Sequence, residues 1–86
     1  MPLPILNSTD DLCAALRDAV LAVIPDAQVT ATANSPGHFE LEVVSPVFAG
    51  KSMVQQQQLV YGSIKELMAG DAAPVHAIDR LKTRTS

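Results

Sequence analysis

The sequence is poor in cysteine, histidine and aromatic side chains: it has one cysteine, Cys13, two histidines, two phenylalanines and one tyrosine. A single cysteine cannot form a disulfide within the chain, so packing alone must stabilise the fold. Cys13 and two histidines are too few for a structural zinc site, which takes about four ligands. The longest apolar run, 19–24, is far shorter than the roughly 20 residues of a membrane span. We therefore predict no membrane-spanning segment and no membrane partner.

Basic residues are also scarce, six against nine acidic ones, for a formal net charge of −3. This balance argues against the diffuse basic surface that gives non-specific affinity for nucleic acids. The charges are unevenly divided, because residues 1–44 hold one basic and six acidic side chains, whereas residues 45–86 hold five basic and three acidic ones. Residues 1–5 lack the basic and apolar order of a secretory signal, and we expect a cytoplasmic protein.

Aliphatic side chains are abundant. Leu, Ile, Val and Phe together account for 24 residues and Ala for twelve, well above what a disordered chain carries. The length allows one compact domain and not two. We therefore predict a single domain over residues 1–86, with flexible ends at 1–8 and 83–86 and a thin aliphatic core.

The first half predicts a helix and a hairpin. Helical periodicity begins after Ser8-x-x-Asp11, a candidate helix cap, and Pro25 ends the pattern, which gives a helix over 9–24. Apolar and polar residues then alternate on both sides of the turn sequence 34–37. This pattern is typical of a hairpin of two strands with one buried and one solvent-exposed face.

The second half predicts a pinned loop, helical structure and a last strand. Segment 45–50 contains Val47 and Phe48, which we expect to attach the loop to the core. Ser52-x-x-Gln55 is a capping box that opens a helix. Gly62 and Ser63 lie inside the helical pattern, and glycine costs about 1 kcal/mol there, so we predict two short helices. Gly70 is expected to cap the helical region, and residues 75–81 to form a strand.

This order of elements predicts the fold class. Helix, strand, strand, helix, helix, strand is typical of an α+β two-layer domain, with helices over one face of a three-stranded sheet.

Residues that could carry chemistry are few. No phosphate loop, nucleophile elbow or metalloprotease motif is present, and Cys13 lies among leucines as a small buried thiol, so we expect no enzyme. His38 stands where the hairpin turn meets the second strand, and His76 stands one residue into the last strand. Neither lies in an apolar helix stripe, and either could be structural, simply exposed or a metal ligand. Because the chain cannot complete a site, any metal would be shared with a partner.

The last strand also carries a basic stripe at two-residue spacing, formed by Arg80, Lys82 and Arg84. Such a stripe could contact phosphates. The interpretation that we favour from these residues alone is a solubilising edge strand that is protected against pairing with another chain.

Four motifs in the expected order resemble the BolA family: F-E-L-E-V-V-S at 39–45, F-x-G-x-S at 48–52, Q-Q-L-V-Y at 57–61 and V-H-A-I at 75–78. The Q-Q-x-V-Y-G sequence is most similar to the YrbA/IbaG branch. The resemblance implies an α-β-β-α-α-β domain related to the type II KH fold, which binds monothiol (CGFS) glutaredoxins. It further implies a [2Fe-2S] cluster in the heterodimer only, ligated by the glutaredoxin cysteine, glutathione and residues of the BolA-like protein.

His76 matches the histidine of the family's V-H-A motif, and the resemblance implies that it is a ligand of the cluster. His38 lies in the loop region from which the family supplies a second, more variable ligand. Two departures stand out. Gln57 and Gln58 replace an Arg-His pair common in the family, and residues 83–86 lack its Thr-Pro…Trp ending.

The leading hypothesis is therefore a non-enzymatic adaptor in iron–sulfur cluster trafficking or in iron homeostasis and stress response. The alternative is a DNA-binding transcription regulator that uses the KH-like surface and the basic stripe. A homodimer of the free protein is left open.

Overall fold

Two helices and three strands form the part of the chain that the computed structural model describes, residues 9–69 and 73–85. In chain order they are α1 (Thr9–Val23), β1 (Gln28–Ser35), β2 (His38–Val44), a 3-10 turn (Pro46–Phe48), α2 (Met53–Met68) and β3 (Ala77–Arg84). The predicted α+β class is confirmed. Neither helix within these ranges is long and apolar enough to cross a membrane.

The sheet is mixed and has the order β1-β2-β3. Strands β1 and β2 form an antiparallel hairpin, whereas β3 returns parallel to β2, because the α2 crossover carries the chain back to the other end of the sheet. Strand β2 is thus central, and its alternate residues Phe39, Leu41 and Val43 are buried. Leu16 of α1 and Ile64 of α2 belong to the same core cluster, so the helices cover one sheet face, as predicted.

The connection after β2 is fixed to the body of the protein, as predicted. Phe48 is fully buried, whereas Val47 is 44% exposed, so Phe48 and not Val47 attaches the loop to the core. The buried Ser45 hydroxyl donates to the Asp26 carboxylate at 2.9 Å and accepts from the Val47 amide at 3.1 Å. Because these bonds satisfy the polar groups of the turn, it can pack on the core at little cost.

Helix α2 is continuous, so the prediction of two short helices was wrong. The predicted capping box is confirmed, since Ser52 and Gln55 exchange backbone and side-chain hydrogen bonds. Val60 and Ile64, which flank the expected break at Gly62, are fully buried. Burial of two such side chains contributes about 3–6 kcal/mol, more than the glycine penalty of about 1 kcal/mol, so packing keeps the helix intact.

Strand β3 begins and ends later than predicted, at Ala77 and Arg84 instead of 75 and 81. Thr83 is only 7% exposed, and its hydroxyl donates to the Gln56 side-chain carbonyl of α2 at 2.7 Å. This anchor extends the strand into 83–84, within the end that we expected to be flexible. The predicted cap at Ser8, the cap at Gly70 and the flexible segment 1–8 lie outside the described residues.

Candidate metal centre

The two histidines are distant in sequence and meet at one end of the parallel strand pair. His38 is the first residue of β2, and His76 immediately precedes β3. In the sheet register His38 lies beside Ala77. The backbone amides of His76 and Ala77 both donate to the Gly37 carbonyl, at 2.8 and 3.0 Å. The sheet therefore brings together the two predicted ligand residues.

The hairpin turn supports the His76 ring. Gly37 has a φ of +80°, in the left-handed region that favours glycine. A Cβ atom at this position would lie 2.8 Å from Cγ and 3.0 Å from Nδ1 of His76, closer than van der Waals contact allows. The imidazole thus packs against the bare glycine backbone, while the His76 residue as a whole is exposed.

The His38 ring is held by a hydrogen-bond network across the three strands. Nδ1 of His38 lies 3.0 Å from Oδ1 of Asp79, and the Asn34 amide donates to Oδ2 of Asp79 at 3.2 Å. The bond from His38, and after it the bond from Asn34, hold the pKa of Asp79 below its ordinary value. Asp79 is therefore ionised at neutral pH, and Nδ1 of His38 is the donor, since a carboxylate only accepts.

Sequence reasoning missed both Asn34 and Asp79, because each is the extra residue of a register irregularity. The ladder passes from Ala33 to Ser35 against consecutive β2 residues, leaving out Asn34. It passes from Ile78 to Arg80 in the same way, leaving out Asp79. The sequence did contain a signal for Asp79. Ile78 and Leu81 are apolar residues three positions apart, and both pack on the core, whereas a regular strand cannot place residues three apart on one face.

The basic stripe lies on the exposed face of the edge strand β3. Arg80 stands beside Glu40, and Lys82 beside Glu42, in the register with β2. These four side chains and two β1 threonines line a shallow polar pocket of about 180 Å³. Carboxylates adjacent to the cations reduce the positive potential of the face. The predicted contact with phosphates, including that of Arg84, stays a prediction.

Cys13 is a partly buried side chain of α1 that packs against the core. Burial, and to a lesser extent Asp10, raise the pKa of its thiol, which is the opposite of what activates a nucleophile. Within residues 9–69 and 73–85, no group of three or more His, Cys, Asp or Glu side chains could hold a metal ion. A metal bound by these histidines would thus need ligands from another molecule.

Comparison with known proteins places the chain in a family. A family model described as BolA-like protein matches residues 12–86. The UV-induced protein uvi31 of Schizosaccharomyces pombe is 37% identical over 62 residues, which are 72% of this chain and 51% of that protein. The chain thus spans about half the length of this relative.

Solved structures agree with that match. Yeast Fra2 superposes with a TM-score of 0.65 at 27% identity, over 85% of this chain and 77% of that one. BolA1 from Arabidopsis thaliana shares the fold with a TM-score of 0.68 at 22% identity, over 85% and 89% of the two chains. The narrower resemblance to the YrbA/IbaG branch stays a prediction. Together the family match, the sheet topology and the related structures show that the chain belongs to the BolA-like protein family.

Proposed function

We propose that this protein is a non-enzymatic adaptor that binds a monothiol (CGFS) glutaredoxin and shares a [2Fe-2S] cluster with it and with glutathione. One observation carries the proposal: the fold places two accessible imidazoles, His38 and His76, at the same end of strands β2 and β3. Membership in the BolA-like family supports it. The process served would be cluster trafficking or iron homeostasis and stress response, in the cytoplasm.

The ligand chemistry is consistent with this role. A [2Fe-2S] cluster takes four ligands, and histidine replaces cysteine on one iron in some proteins. Within the described residues no group of three or more possible ligands could hold a metal ion, so His38 and His76 could supply only part of the set. A partner thiolate and the glutathione thiolate would complete the set. His76 and His38 are therefore the proposed ligands, and the cluster is a cargo rather than a resident cofactor.

Anaerobic reconstitution tests the proposal. The protein is mixed with a monothiol glutaredoxin, ferrous iron, sulfide and glutathione, and the product is examined by size-exclusion chromatography, iron content and visible circular dichroism. We expect a coloured heterodimer with the wild-type protein and a changed visible spectrum, or loss of bound iron, with His76→Ala.

Gln58→Ala is the matched control, because Gln58 is also exposed but lies on α2, away from the two histidines in the fold. This variant should give the wild-type spectrum. An unchanged spectrum with His76→Ala would contradict the ligand assignment, and failure of the wild-type proteins to form any complex would contradict the proposed function.

A further inference from the structure

We propose that Asp79, held in place by Asn34, is a positioning residue that fixes His38 as the Nδ1-protonated tautomer and reserves Nε2 for the metal. The inference rests on the proposed function for the identity of the metal, which is the shared cluster. The tautomer itself is a property of the free protein and can be measured without a partner.

The hydrogen bonds define the tautomer. A neutral imidazole carries one proton, on either Nδ1 or Nε2. Nδ1 of His38 is 3.0 Å from Oδ1 of Asp79, and a carboxylate can only accept, so the proton resides on Nδ1. Nε2 then keeps the free lone pair that a metal ligand requires.

Asn34 restricts the carboxylate in turn. Its side-chain amide donates to Oδ2 of Asp79 at 3.2 Å, so each carboxylate oxygen has its own donor. A carboxylate held at both oxygens cannot rotate without breaking a bond.

The backbone is shaped to form this network. Asn34 and Asp79 are left out of the ladders on opposite sides of β2, one residue from Ser35 and two residues from Ala77, the partners of His38. An extra residue in a strand locally disrupts the ladder and redirects a side chain, and such irregularities are frequent next to functional sites. Here one extra side chain, that of Asp79, bonds to His38, and the other, that of Asn34, bonds to Asp79.

Stability is a weak explanation for the pair. The side chains of His38 and Asp79 are 44% and 40% exposed, and exposed ion pairs contribute only about 0–1 kcal/mol. A stronger explanation for the pair is that Asp79 orients His38 as a metal ligand. Carboxylates bonded to the second nitrogen of a ligating histidine fix its ring and raise its basicity, and their loss typically lowers metal affinity about 10–100-fold.

The test begins with the free protein. Long-range ¹H–¹⁵N spectra at mildly alkaline pH report which ring nitrogen carries the proton. We expect the Nδ1-protonated form for His38 in the wild type and mainly the Nε2-protonated form in Asp79→Ala, with His76 unchanged. Asp79→Asn, which keeps an acceptor oxygen, should retain part of the wild-type signature.

Asp18→Ala is the matched control, because it also removes one exposed carboxylate but lies on α1. It should leave the His38 ring signals unchanged. Backbone amide spectra of each variant verify that the fold is intact. A wild-type His38 protonated on Nε2 would overturn the inference, whether or not a glutaredoxin binds.

The second measurement uses the reconstituted heterodimer. Release of iron to a chelator should be about tenfold faster or more with Asp79→Ala and unchanged with Asp18→Ala. Equal release rates for wild type and Asp79→Ala would overturn the positioning role, even if the tautomer is as expected. If the wild type forms no heterodimer, the proposed function fails, whereas the tautomer result still decides the role of Asp79 in the free protein.

Discussion

At the residue scale, Gly37 links the hairpin turn to the candidate metal centre. We predict that Gly37→Ala lowers the free energy of unfolding by about 1–2 kcal/mol, because an L-residue at positive φ is strained. The added Cβ would also meet the His76 ring at 2.8 Å and displace it. Urea denaturation measures the first effect, and the His76 ring signals in NMR spectra measure the second.

Gly50 provides the control for this substitution. Its φ of +78° is nearly the same, yet a Cβ there would have nothing within 4 Å. Gly50→Ala should therefore lose similar stability and leave the His76 signals unchanged. Equal displacement of His76 in both variants, or in neither, would contradict the proposed support of the ring by Gly37.

At the scale of the element, helix α2 contains a glycine that its structure does not need. Gly62 is exposed, and a Cβ there would meet nothing within 4 Å. We predict that Gly62→Ala raises the free energy of unfolding by about 1 kcal/mol, with Gly62→Ser intermediate. Thermal or urea denaturation checks this order. A loss of stability with alanine would show that the structure of the free protein does need a glycine at position 62.

Some features of α2 and β3 could be predicted from local sequence, and others depend on packing. The capping box of Ser52 and Gln55 was predictable because both hydrogen bonds span only three residues. The continuity of α2 was not, because it depends on the burial of Val60 and Ile64 against α1 and the sheet. The extension of β3 likewise depends on a bond from Thr83 to Gln56, which local sequence does not specify.

At the scale of the whole molecule, the charge distribution bears on the DNA-binding alternative. The net charge is −3, and Glu40 and Glu42 lie beside Arg80 and Lys82. We predict weak binding of duplex DNA by the free protein, lost as salt rises, because the carboxylates oppose phosphate contact. Fluorescence anisotropy against salt concentration measures this affinity.

The double variant Glu40→Gln/Glu42→Gln tests whether these two carboxylates weaken DNA binding. Removal of two carboxylates from the same face should tighten DNA binding severalfold and steepen its salt dependence. Asp10→Asn/Asp18→Asn changes the net charge equally but on α1, and should have a smaller effect. Tight, specific binding by the wild-type protein would instead favour the regulator hypothesis.

The sequence by itself determined the fold class, the wet and buried faces of β2 and the two histidines as candidate ligands, because alternation, caps and motifs are local patterns. Only the tertiary structure decided that His38 and His76 lie at one sheet end, since the parallel pairing of β2 with β3 joins segments about 40 residues apart. It also decided the roles of Asn34 and Asp79. The Asp79 side chain bonds to His38, and the Asn34 side chain bonds to Asp79. Both come from residues that the two ladders leave out, a placement that local sequence does not specify.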